Sequence, residues 1–218
     1  MISTKIFYSY IYSLYFCLRY LPFSQAKKIP ILIHPGVHVQ KLHKGDIIIK
    51  GKIWRAMIAI GFDGTIGRSS RKTLIYVIPG GHIIFRGYTC ISKGCRMVIN
   101  QGNLTFGAKN TINGDCFFSC YDNITLGNDI MCGWNVSFLT TNGHKIIIND
   151  ELKPMTASIN IGNHVWIGSD SVIGKGVSIL NNCVIAHHSI VTKEMDEDSI
   201  LIGGFPAKKI KSNVNWKP

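Results

Sequence analysis

Among the residues able to do chemistry in this 218-residue chain, His144 has the most suggestive setting. It closes the polar stretch Thr140-Thr141-Asn142-Gly143-His144, which has the composition of a loop. An imidazole with an ordinary pKa of about 6.5 can take a proton from a weakly acidic hydroxyl at neutral pH. By its residue type alone, His144 reads more readily as an ordinary polar loop residue. Lys193, Lys208 and Lys211 could meet phosphate groups as point charges, or could be solvated surface lysines. The seven cysteines (17, 90, 95, 116, 120, 132 and 183) include no CxxC pair. Cys116 and Cys120 stand four apart, yet no second pair completes a metal site, so no metal is expected. They read as small, buried, reduced residues of a cytoplasmic protein.

Charge narrows the partners. Lysine and arginine outnumber aspartate and glutamate 24 to 12, a net +12 that favours anionic ligands or surfaces. No zinc-finger spacing, aromatic RNA-binding motif or dense basic block appears, which argues against nucleic acid. Apolar residues make up 46% and charged residues 17%, enough for a packed core and against bulk disorder. The 22 glycines against 7 prolines favour short strands joined by tight turns.

The elements that position these residues follow a period of six. From Ile161 the chain parses without a gap: Ile161-Gly-Asn-His-Val-Trp, Ile167-Gly-Ser-Asp-Ser-Val, Ile173-Gly-Lys-Gly-Val-Ser, Ile179-Leu-Asn-Asn-Cys-Val, Ile185-Ala-His-His-Ser-Ile, then Val191. Every first position is Ile or Val, and the fifth positions (Val165, Ser171, Val177, Cys183, Ser189) are small or β-branched. Helices repeat at 3.6 and simple strands at 2, so neither accounts for this. A parallel β-helix does: three short strands complete a triangular coil, first positions point inward, and small fifth positions share the interior. The pattern recurs upstream with phase slips, in Phe85-Ile91-Met97, in Phe106-Ile112-Phe118-Ile124 and in Leu126-Cys132-Phe138. Ile60-Gly61 and Ile66-Gly67 look like a degenerate first coil.

Three further segments complete the layout. Residues 1–28 read as an amphipathic helical segment with Tyr8, Tyr12 and Tyr15 at helical spacing, broken by Lys5 and Arg19 and followed by Lys27-Lys28. It lacks the features of a signal peptide or a membrane span. Two roles stay open for it: capping the core, or lying on an anionic inner membrane surface. Residues 29–202 form the β-helix, interrupted by an extruded loop at 139–160, and 203–218 form a C-terminal arm. The architecture is therefore all-β, a parallel β-helix with a short N-terminal helix and one functional loop.

The stretch Ile161-Gly-Asn-His-Val-Trp-Ile-Gly-Ser, with Val191-Thr-Lys and Gly203-Gly-Phe-Pro-Ala-Lys, resembles the hexapeptide-repeat acyltransferases, whose β-helix is left-handed. It is most similar to the sugar O-acetyltransferases of capsule and lipopolysaccharide assembly and to the maltose and galactoside acetyltransferases. The resemblance covers roughly residues 100–212. It implies acetyl-CoA as donor and a carbohydrate hydroxyl as acceptor. It also implies His144 as general base, direct transfer in a ternary complex, and a homotrimer with sites between subunits. Donor-binding residues would be Trp166, Ser169, the backbone at His187, Thr192, Lys193, Lys208 and Lys211. Acceptor-binding residues would be Asp115, Trp134, Asn135 and Asn142. His187-His188 depart from the family's usual Ala-Gly and narrow the turn beside the expected donor channel.

Rival readings have separate signatures. Zinc carbonic anhydrases share the rod, but no pair of histidines in the regular coils has their spacing. His34, His38 and His43 precede the clear repeat, His82 lies in a turn-like Gly-Gly-His, and His164 takes an outward hexad position. An N-acetyltransferase acting on an amino sugar or nucleotide-sugar would place its base elsewhere. A non-catalytic β-helix interaction protein would bind no acetyl-CoA. Localisation is expected to be cytoplasmic, with the inner membrane face as the alternative linked to the N-terminal helix.

Overall fold

The inward side chains of the hexads set the shape. In the computed structural model, which describes residues 4–63 and 69–217, strands of two to five residues stack in parallel on three faces. Among these residues the first face carries nine strands, the second seven and the third six. The first coil runs Ile31–Ile33, His38–Gln40, Ile47–Ile49, and the chain then returns to the first face at Ile58–Phe62. This is a left-handed parallel β-helix. It begins a full coil before Ile60-Gly61, where the repeat first becomes legible; Ile66-Gly67 lie outside the described residues.

Register aligns equivalent residues into buried columns. On the first face Ile33, Ile60, Ile91, Ile112, Cys132, Ile167, Ile185 and Ile202 pair in succession. The second face stacks Val39, Ile75, Met97, Phe118, Phe138, Ile173 and Val191. Phe118 and Phe138 lie 4.9 Å apart and nearly parallel, and Phe85 and Phe106 on the third face are stacked at 5.3 Å. The small fifth positions are buried as expected, including Ser171, Ser189, Cys95, Cys116 and Cys183. Burial pushes the thiol of Cys17 up to about 11 and that of Cys120 up to about 12, so both stay protonated and inert.

The fourth position makes the turn. His164, Asp170, Gly176, Asn182 and His188 all have φ between 53° and 75°, the left-handed region. Short polar residues and glycine tolerate it best, which explains this column's composition.

From the third coil to the sixth, one corner absorbs the phase slips. Inward residues on the first and second faces are six apart, as in Ile91 to Met97 and Ile167 to Ile173. From the second face to the third the interval is six at Ile173–Ile179, eight at Phe118–Leu126 and nine at Met97–Phe106. Ile124 therefore shares a strand with Leu126 and both are buried, so it does not open a new hexad. The same corner emits the long loop: the second-face strand ends at Leu139 and the third face resumes at Ile159.

Both ends of the rod are covered. Helix α1 (Thr4–Tyr20) packs on the first strand, where Ser13 Oγ accepts from the Ile33 N–H at 2.9 Å and Cys17 Sγ donates to Ile31 O. A short helix α2 (Phe23–Ala26) follows. At the other end Leu201–Gly204 continues the first face and Ala207–Lys211 folds back against it, antiparallel. The strand thus runs through residue 203, where an arm was expected to begin.

Candidate active site

The loop and the groove lie on different edges of the prism. At the loop base, the Asn142 N–H donates to Met155 O, the Ala157 N–H donates to Thr140 O, and Thr141 bridges Thr156. Beyond it Ile146–Ile148 pairs antiparallel with Glu151–Lys153 as a hairpin. His144 occupies the bend between these two ladders, after Gly143, whose φ is 77° and whose N–H donates to Thr141 Oγ1. Its imidazole is exposed and bonds to nothing among the described residues. The hairpin leaves Ile146, Ile147, Ile148, Leu152 and Met155 exposed.

The corner between the first and second faces carries the other half. A groove of about 480 Å³ is lined by Trp166, Gly168, Ser169, Val184, Ala186, His187 and Leu201, among others. Trp166 forms one wall from its outward position on the first face, 41% exposed. Gly168 leaves the floor thin: a Cβ there would come within 2.5 Å of the His187 nitrogen in the next coil. Ser169 Oγ accepts from the Trp134 N–H at 3.0 Å, which ties two coils together along this edge. Asn135 Nδ2 donates to Asp170 Oδ1, and His188 Nε2 lies 3.8 Å from Asp170 Oδ2. Further down the same corner Asp115 accepts from Ser69 Oγ at 2.5 Å.

The residues expected to hold the donor divide accordingly. Trp166, Ser169 and His187 share the groove. Thr192, Lys193 and Lys208 line a second hollow of about 310 Å³ with Met195 and Pro206. Lys211 pairs with Leu201, a groove residue, so the strand Ala207–Lys211 links the hollow to the groove rim. Of the expected acceptor residues, Trp134, Asn135 and Asp115 belong to the groove corner, whereas Asn142 travels with His144 on the loop. One chain does not unite these two sets. Among the described residues no three His, Cys, Asp or Glu side chains gather as metal ligands would.

His164, read as merely outward-facing, anchors the C-terminal tail. Its Nδ1 lies 2.6 Å from Asp129 Oδ2, and its Nε2 lies 3.1 Å from Asn215 Oδ1 and 3.2 Å from Trp216 O. The Trp216 ring stacks on the imidazole at 4.5 Å, donates to His164 O, and lies 6.4 Å from Trp166. The hydrogen bond to Asp129 holds the His164 pKa above its ordinary value. Asp129 and His164 both take the left-handed fourth position in successive coils, a signal visible only once the loop's length in the coil is known.

The left-handed rod built of hexads is a fold that this chain shares with solved acetyltransferases. Residues 158–193 match the family model described as bacterial transferase hexapeptide (six repeats). An uncharacterised 24.8 kDa protein in the cps region of Klebsiella pneumoniae is 29% identical over 210 residues, 91% of this chain and 86% of that protein. The galactoside O-acetyltransferase of Escherichia coli is 36% identical over 91 residues, 40% of this chain and 43% of the relative. Among solved structures, the polySia-specific acetyltransferase NeuO shares the fold with a TM-score of 0.52 at 23% identity, over 87% of this chain and 79% of its own. Over its regular hexads the chain is thus similar to the hexapeptide-repeat transferases, with named acetyltransferases among its relatives.

Proposed function

We propose that this protein moves an acetyl group from acetyl-CoA to a hydroxyl of a surface polysaccharide or its precursor, in a homotrimer whose sites lie between subunits. The observation that carries the reading is the separation of two half-sites: His144 on one edge of the prism, the groove on another. A threefold arrangement of parallel rods sets the loop edge of one subunit beside the groove edge of the next, and it covers the exposed isoleucines of the hairpin.

The groove suits the donor. Trp166, Val184 and Leu201 offer apolar walls to a pantetheine-like chain, and Lys193, Lys208 and Lys211 offer cations to its phosphates. The thin floor at Gly168 leaves room that any Cβ would fill. His144 then acts as general base, taking the hydroxyl proton as the oxygen attacks the thioester carbonyl. A backbone N–H of the site stabilises the oxyanion, and the histidine returns its proton to the departing thiolate. Trp134, Asn135 and Asn142 orient the sugar from the two sides of the interface. The relative from the cps region and the galactoside-specific relative support a carbohydrate acceptor.

Thiol release from acetyl-CoA, measured against a panel of sugars and amino sugars, tests the reading. A hydroxyl acceptor should turn over, and His144→Ala should lower the rate at least about a hundredfold with CoA affinity near normal. Wild-type turnover in that variant would sink the assignment of the base, and transfer confined to amino sugars would sink the hydroxyl acceptor.

A further inference from the structure

α1 carries a stripe of large apolar side chains on the face that does not touch the rod. The edge packed on the first coil includes Ser9, Ser13, Phe16 and Cys17, so two of four buried positions are serines. Phe7, Ile11, Leu14 and Leu18 run along the outer face at spacings of four, three and four, the period of one helical stripe. Tyr8 and Tyr15 flank this stripe; Phe7 is 62% exposed, and Phe23 of α2 extends the surface at 70%. A helix serving only as a cap would bury that stripe and show the serines to water.

Cations surround the stripe. The first 60 residues hold nine of the 24 lysines and arginines and one of the 12 acidic residues. Lys27 and Lys28 follow α2 directly and are exposed. The Arg55 guanidinium lies over the Tyr10 ring of α1 at 5.5 Å. Gly45, next to Lys44, donates its N–H to Tyr20 O, and Gln25 Nε2 donates to the carbonyl of Ile49, next to Lys50. The β-helix turns thereby gather basic residues around both helices. Among the described residues no helix is long and apolar enough to cross a membrane.

We propose that α1 and α2 lie flat on an anionic lipid bilayer, with the Phe7-Ile11-Leu14-Leu18 stripe among the acyl chains and Lys27, Lys28 and Arg55 at the lipid phosphates. An apolar helical stripe bordered by lysine and arginine is the pattern that holds a helix in the membrane surface. Pairing of two copies through the same face would bring two strongly basic segments together, which like-charge repulsion opposes.

Flotation of the full-length protein with vesicles tests this, using phosphatidylcholine alone or mixed with phosphatidylglycerol. The protein should float with the anionic vesicles, much less with the neutral ones, and should be released by high salt. Phe7→Ser/Ile11→Ser/Leu18→Ser should cut binding at least about tenfold while circular dichroism and Tm stay unchanged, because these side chains lie outside the core. Lys27→Glu/Lys28→Glu, which keeps the stripe intact, should also cut it at least about tenfold. Failure of the wild-type protein to float with anionic vesicles would overturn the proposal, as would equal flotation of either variant. So would an oligomer that the triple variant dissolves with flotation unchanged, which would assign the stripe to a second copy.

Discussion

His144, Gly168 and His164 show three ways in which one side chain can matter here. His144 is held through its neighbours' backbone and its ring has no partner among the described residues, so on the proposed reading it is oriented by a second subunit or the substrate. Gly168 matters by lacking a side chain: a Cβ would meet His187 and Ile185 backbone atoms below 3 Å, and backbone cannot step aside. Gly168→Ala should therefore lower stability by about 1–3 kcal/mol, measurable by urea unfolding, and should weaken donor binding as well. His164 presents both ring nitrogens to acceptors, Asp129 on one side and Asn215 and the Trp216 carbonyl on the other. Only the imidazolium can donate from both. Its folded pKa is raised, so its contribution is complete below the unfolded value of about 6.5 and fades as pH climbs through the folded one. Raising the pH should loosen the tail and red-shift Trp216 emission, and Asp129→Asn should abolish that response.

At the scale of elements, the corner between the second and third faces is the variable one. Its turns lengthen without disturbing the columns, because inward residues on the three faces still stack coil upon coil. The loop is the extreme case of this tolerance, a ribbon and hairpin inserted where the spacing is already loose. Its exposed isoleucines are the element's demand for a partner. If the proposed homotrimer forms through this hairpin, Ile147→Asp/Ile148→Asp should leave monomers in sedimentation equilibrium. The same substitutions should abolish acetyl transfer and leave CoA binding near normal, since the groove belongs to the rod. A variant that stays trimeric and active would remove the loop from the interface. The C-terminal tail is the complementary element: it closes the coil stack as a strand and then places Trp216 beside Trp166 at the groove. Trp216→Ala should raise the Kd for CoA several-fold, read by isothermal titration, with little change in the rod's Tm.

For the whole molecule, shape and charge are divided along the rod axis. The core consists of three continuous columns of Ile, Val, Leu, Phe, Met and Cys, so cohesion is nearly uniform from the first coil to the last. The candidate site lies in the later coils, with groove, loop and basic strand all beyond residue 130. The N-terminal coils instead collect positive charge around two helices with an apolar outer face. On the two proposals, the rod addresses a membrane surface with one end and binds its donor near the other.

Much of this was legible in the chain itself. A solenoid's inward positions recur at a fixed short interval, so Ile161 to Val191 announce their burial without reference to anything distant. Cys95, Cys116, Cys132 and Cys183 follow from the same count, whereas Cys17 sits on α1 and Cys90, expected buried, is only half-buried. The loop was equally visible as a gap in that count. Contacts between coils were not legible, because they depend on how many residues each turn consumes. Asp129 meets His164 across 35 positions only because a loop is spent between them, and Trp216 reaches His164 only because the chain reverses after Gly204. The same reason separates His144 from the groove: the period says which residues face outward, and only the closing of the triangle decides which edge each one occupies.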